Sequence, residues 1–117
     1  MDFKIEVIAE NDGLLRRIIL DPSYIKPDNT ISSFAFKPGK RDVDGLSVDL
    51  ERLTTPDVAI IDRTKYRLAR FEASVPLSLG LACLHAPRCD NPAHSLIQGN
   101  FTTSIRRQLA SAATLVL

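Results

Sequence analysis

Apolar side chains recur at every second position in a series of short runs. Phe3, Ile5 and Val7 alternate with Lys4 and Glu6; Leu46, Val48 and Leu50 alternate with Ser47 and Asp49; Phe71, Ala73 and Val75 form a third clean set. A period of two sends successive side chains to opposite faces, so each run reads as a half-buried strand. Ile31 to Phe36 and Ala93 to Gln98 continue the pattern, while Leu14 to Leu20, an apolar run interrupted by Arg16 and Arg17, and Leu81 to His85 read as further strands. Turn residues separate the runs: Asn11-Asp12-Gly13, Lys26-Pro27-Asp28-Asn29 and Asp90-Asn91-Pro92. Glycine accepts positive φ, Asn and Asp tolerate it, and proline ends a run by lacking an N–H. The first two runs, joined through Asn11 to Gly13, read most simply as a hairpin. Ile31 to Phe36 would place Phe34 and Phe36 on one strand face.

Helical periodicity is confined to a few places. Thr55-Pro56-Asp57 has a threonine N-cap followed by proline at the first helical position. The residues after it, with Val58, Ile60 and Ile61, suit either a helix or a strand. Leu50 to Leu53 and Leu77 to Gly80 are each long enough for a single turn. Near the end, Ile105, Leu109, Ala112 and Val116 form one apolar stripe, with Arg106 and Arg107 outside it and Thr103 or Ser104 as cap. Many short strands with one good helix define an α+β class. The expected architecture is one small domain over residues 1–117, a mostly antiparallel sheet with the C-terminal amphipathic helix packed on it.

Composition narrows the function classes. Of 117 residues 44% are apolar and 25% charged, which suits a globular core, and the formal net charge is +1. That balance argues against a strongly cationic nucleic-acid binder, and five Phe, two Tyr and no Trp leave little for base stacking. No run approaches the roughly 18 apolar residues of a membrane span. The opening MDFKIEVIAE lacks the basic and apolar pattern of a signal peptide. A cytoplasmic protein is therefore expected, its two cysteines free thiols or metal ligands rather than a disulfide.

Chemistry-bearing residues concentrate in Leu81 to Gly99, which holds both cysteines and both histidines. Cys83, His85, Cys89 and His94 are the candidate zinc ligands, but their C-x-H-x3-C-x4-H spacing lacks a CxxC knuckle. No cofactor is expected, with zinc the alternative. Cys83, between apolar neighbours, reads as a small hydrophobe, while Cys89 beside Arg88 is a candidate for a more acidic thiol. His94, following the Asn91-Pro92-Ala93 turn, is the candidate catalytic residue, since imidazole serves as general acid or base near neutrality. Arg16, Arg17, Ser32, Ser33 and Asn91 are the groups that would join it in holding a phosphate-bearing or nucleotide ligand. No P-loop, GxSxG, HExxH or paired-carboxylate motif accompanies them. A separate basic stretch, Arg63, Lys65, Arg67 and Arg70, is the candidate nucleic-acid surface: a strand would align the first three, a helix Arg63, Arg67 and Arg70.

Three segments, LLRRIILDPSYIKPDNTISSFAF, DGLSVDL and NPAHSLIQG, resemble a set of small bacterial proteins frequent in cyanobacteria. These share an arginine-bearing strand, Ser-Ser-x-Ala-Phe, Leu-Ser-Val and Pro-Ala-His before a glycine. The resemblance covers about two thirds of the chain and brings no assigned activity. It implies that Arg16, Arg17, Ser32, Ser33, Phe36, Ser47, Asn91 and His94 form one shared surface. It also associates the chain with bacterial defence or conflict systems, by analogy alone.

The function expected from these observations is a non-catalytic accessory protein binding a larger protein partner, with no membrane association. Phe34, Phe36 and the apolar Leu115 to Leu117 end are the candidate contact patch. The alternatives are an enzyme or ligand-binding domain centred on His94, and nucleic-acid binding through Arg63 to Arg70. Convergence of Arg16, Ser32 and His94 would favour the enzyme or ligand-binding reading; their separation would count against it.

Overall fold

A computed structural model describes residues 4–40 and 42–117. Among the described residues six strands form one antiparallel sheet: β1 (Gly13–Ile19), β2 (Leu46–Leu50), β3 (Tyr66–Glu72), β4 (Ala82–His85), β5 (His94–Gln98) and β6 (Thr114–Leu115), in the spatial order β4-β5-β2-β1-β3-β6. Helices α1 (Pro56–Ile60), α2 (Ser74–Ser78) and α3 (Thr103–Ala112) complete the domain with short 3₁₀ turns at Ser33–Phe36 and Glu51–Leu53. This is the α+β class.

Register divides the strands between two faces. Leu14 pairs with Leu50 and Phe71, and Leu46 pairs with Ile97. These residues, with Val48, Ala69, Phe36 and Leu109, form the main core beneath α3 and the Ser33–Phe36 turn. Phe36 packs edge-on against Phe71, with ring centroids 5.5 Å apart. On the other face Leu15, Leu68, Ala59 and Ile60 make a smaller cluster, with α1 covering only part of the sheet. We call these the helix face and the cleft face.

Local sequence accounts for the helix starts. Thr55 Oγ1 accepts from Val58 N, with Pro56 at the first helical position. Thr102, rather than Thr103 or Ser104, caps α3 through Ile105 N. The stretch after Pro56 resolves into the short helix α1, then a turn.

Four expectations need correction. Residues 4–9 form no strand, so there is no hairpin with β1; Phe3 lies outside the described residues. Glu6 is instead fastened sideways, its N–H donating to His85 Nδ1 and its carboxylate paired with Arg52. Ile31 to Phe36 is an isolated bridge and a 3₁₀ turn, with Ser32 Oγ accepting from Phe34 N. That turn separates the two aromatics: Phe36 is fully buried and Phe34 54% exposed. The strand through Phe71 runs from Tyr66 and stops at Glu72, because Ser74 to Ser78 turn into α2. Finally, α3 ends at Ala112, leaving Val116 off its stripe; β6 then pairs with β3, and Leu117 packs against the Leu15 cluster. Leu115 and Leu117 are thereby held against the chain's own sheet, while Val116 stays 40% exposed.

Candidate functional site

The cleft face carries an unusual concentration of polar groups at its middle. Register places Asp49 beside Leu15 on β1 and His94 on β5. Asp49 is 4% exposed and both its oxygens are occupied: Arg17 Nη1 donates to Oδ2 at 3.2 Å and Asn91 Nδ2 to Oδ1 at 2.7 Å. Arg17 Nη1 also donates to the Ala59 carbonyl at 2.7 Å, tying α1 to β1. A carboxylate this buried requires such partners, since an unpaired buried charge is costly.

His94, 5% exposed, follows a tight turn in which Arg88 and Asn91 exchange backbone hydrogen bonds. Its Nδ1 lies 2.8 Å from the Ala86 carbonyl and its Nε2 3.4 Å from Ser47 Oγ. A carbonyl only accepts, so Nδ1 carries the proton, and in the neutral ring the Nε2 lone pair faces the Ser47 hydroxyl. This is a hydroxyl–imidazole contact with the imidazole oriented from behind, as nucleophile activation requires.

The cleft beside these groups has a volume of about 190 Å³. Arg17, Ser47, Asp49, Asn91 and His94 form its polar part, Arg88 and Asp90 its rim, and Val58 and Ile61 its apolar side. Val58 is 69% and Ile61 70% exposed, a high value for large apolar residues. Ile61 also adopts φ 66°, ψ −57°, with Asp62 N donating to the Ile60 carbonyl at 2.7 Å. This is the γ-turn with positive φ, a strained conformation for a β-branched residue. The following turn fixes it: Asp62 Oδ1 accepts from both N and Oγ1 of Thr64, which holds the Asp62 carboxyl below its usual pKa.

Of the residues expected to act together, Arg17, Ser47, Asn91 and His94 meet here. Arg16, Ser32, Ser33 and Phe36 do not. Arg16 is one position along β1 and so points to the helix face. β1 and β2 are in register only at Leu14 and Leu15, and beyond that point the Ser47 carbonyl accepts from Arg16 Nη1 at 2.8 Å. Arg16 Nε donates to the Ala35 carbonyl at 3.1 Å, and burial lowers the pKa of its guanidinium. It braces the diverging strands. Ser32 and Ser33 line a different groove, with Arg67. The convergence of Arg16, Ser32 and His94 is thus not present.

The other candidate sets are also separated. Cys83 and His85 share the helix face, whereas His94 lies on the opposite one and Cys89 in an exposed loop. His85 uses both ring nitrogens on backbone, accepting from Glu6 N at Nδ1 and meeting the Pro92 carbonyl at Nε2, 2.7 Å away. Among the described residues no group of three or more His, Cys, Asp or Glu side chains is arranged to hold a metal ion. In the basic stretch the strand begins only at Tyr66, so Arg67 and Arg70 point to opposite faces. Arg63 pairs with Asp57 and Arg70 with Glu51, leaving no continuous basic face from Arg63 to Arg70.

Sequence reasoning missed Asp49, Val58 and Ile61. Asp49 was visible as a carboxylate on the polar side of an alternating strand, opposite in charge to Arg17. Comparison with protein-family models, curated proteins and solved structures gave no match to this chain. No helix among the described residues is long and apolar enough to cross a membrane.

Proposed function

We propose that the protein is a non-catalytic binding module of the cytoplasm that docks on a larger protein through the mouth of this cleft. The observation that carries the reading is the exposure of Val58 and Ile61, the latter held outward by a strained turn. Backbone strain costs on the order of 1–3 kcal/mol and persists where the surrounding structure imposes it. Here it keeps an isoleucine in water beside a polar rim of Arg88, Asp90 and Asn91, the apolar-centre, polar-rim arrangement of protein contacts. The partner segment would set an apolar side chain between Val58 and Ile61 and hydrogen-bond to that rim. The mutual satisfaction of Arg17, Asp49 and Asn91 supports a binding role over a catalytic one. Two free cysteines fit a reducing compartment.

The test is an affinity capture of the tagged protein from nuclease-treated lysate of its native host, run beside a Val58→Ser/Ile61→Ser variant and an Ile19→Ser control. A stoichiometric protein retained by the wild type and the control, and lost by the double variant, is expected. Retention by the double variant, or no partner at all, overturns the reading.

The Ser47–His94 contact supports a second reading, nucleophilic chemistry at Ser47 with His94 as base. A fluorophosphonate probe would label Ser47 in the wild type and not in His94→Ala if that reading holds. An unlabelled Ser47 removes it.

A further inference from the structure

A larger concavity than the cleft at His94 lies on the helix side of the sheet at its β3–β6 edge. It is a groove of about 940 Å³ between the Lys26 to Ser33 turn and the second half of α3. Lys26 comes from the turn, Arg67 from β3 and Arg107 from α3. Ser32, Ser33 and Ser111 add hydroxyls, and no carboxylate and no aromatic ring lines it.

None of the three cations has an Asp or Glu partner among the described residues. Among the described residues, the ion pairs involve Lys4, Arg17, Arg52, Arg63 and Arg70, and none involves Lys26, Arg67 or Arg107. The turn that carries Lys26 and the guanidinium of Arg67 are held in place. The turn is closed by Lys26 N donating to the Thr30 carbonyl and Asn29 N to the Lys26 carbonyl, with Asn29 at φ 69°, a conformation asparagine tolerates. Arg67 is aimed by Nε donating to a terminal oxygen of Leu117 at 2.8 Å, while Nη1 reaches Asn29 Oδ1 at 3.4 Å. Its Nη2 group has no protein partner among these bonds. The carboxyl end of α3 and the Leu117 oxygen at Arg67 offset part of this charge, and Lys26 and Arg107 keep the groove cationic.

We propose that this groove is a binding site for a small polyanion of the phosphate class, bearing two or more phosphate groups. Several cations on three different elements match a ligand of multiple charge, since a lone carboxylate would use one arginine fork. Hydroxyls suit the remaining phosphate oxygens, and the lack of aromatic rings means recognition rests on phosphates and not on a stacked base. The groove shares no residue with the cleft at His94, so this site is independent of the docking proposal.

The test is titration calorimetry of the intact protein with inorganic triphosphate at low and at physiological ionic strength. Saturable binding that weakens with salt is expected. Arg107→Glu and Lys26→Glu should each weaken it by about tenfold or more, as the loss of a charge-assisted contact implies. Lys65→Glu makes the same change of net charge at a residue that does not line the groove and should weaken binding less than either groove variant. Circular dichroism of each variant checks that the fold is retained. Absence of binding, or equal weakening by Lys65→Glu, overturns the site. Tighter binding of a short oligothymidylate than of triphosphate, lost equally in Arg107→Glu, reassigns the groove to nucleic acid and overturns the small-ligand proposal.

Discussion

The two faces of the sheet are built from the same strands, yet they have different compositions and different work to do. On the helix face Leu14, Phe71, Val48, Ile97 and Phe36 meet α3 and the Ser33–Phe36 turn in a nearly continuous apolar layer. On the cleft face the apolar cluster is confined to Leu15, Leu68, Ala59 and Ile60, and the centre belongs to Arg17, Asp49, Asn91 and His94. One face is closed by apolar contact and the other is left half open by hydrogen bonds. The difference shows where this fold can be changed. Contacts on the helix face secure stability, while the cleft face spends some stability on an ordered polar surface and an exposed strained turn.

The contrast can be tested by substitution. Phe36→Ala removes a fully buried ring from the helix face and should cost about 3–5 kcal/mol, read as a lower urea midpoint with the same cooperativity. A loss no greater than that of a cleft-face variant would erase the distinction. Asp49→Asn keeps the shape of the side chain and removes the counter-charge of Arg17. Because the Arg17 side chain remains 29% exposed, the expected loss is smaller than for a fully buried pair, about 2 kcal/mol. Ile61→Gly should act in the opposite sense. Relief of positive-φ strain outweighs the greater chain entropy of glycine, for a net gain of about 1 kcal/mol in a thermal melt, while partner capture weakens. A destabilised Ile61→Gly would show that this side chain is structural.

The smallest effect concerns the cysteines and leaves stability untouched. Burial pushes the Cys83 thiol up to about 11, and Cys89 is exposed. At pH 8 iodoacetamide should therefore modify Cys89 first, with Cys83 spared until the pH nears its raised value or the chain unfolds, as peptide mass spectrometry would report. Equal labelling at pH 8 would mean that the helix face is more open at β4 than the packing implies.

Much of the sheet was legible in the chain itself. Leu46, Val48 and Leu50 alternate because β2 buries that side, and Thr55-Pro56 marks a real helix start because cap and φ restriction act locally. The alternation of Phe34 and Phe36 was misleading: Ser32 caps a 3₁₀ turn, and in a segment of four residues one local hydrogen bond outweighs a period that only a sheet partner would enforce. The helical stripe reached Val116 on paper, whereas the free edge of β3 captured Thr114 and Leu115 instead. In the same way His94, Asn91 and Arg17 could be singled out by residue type, but their meeting with Asp49 depends on strand register. A one-residue difference in direction sends Arg16 to the far face, and no local pattern announces it.

The strand order has a kinetic consequence. Only β4 and β5 are neighbours both in sequence and in space with a short connection; β1, near the middle of the sheet, finds its two partners far along the chain. Closing such distant pairings costs chain entropy before they return any contact, which slows folding relative to a protein of local hairpins. While β1 is unpaired, the apolar sides of β2 and β3 are bare, so the interval before it docks is when this chain is most exposed to self-association.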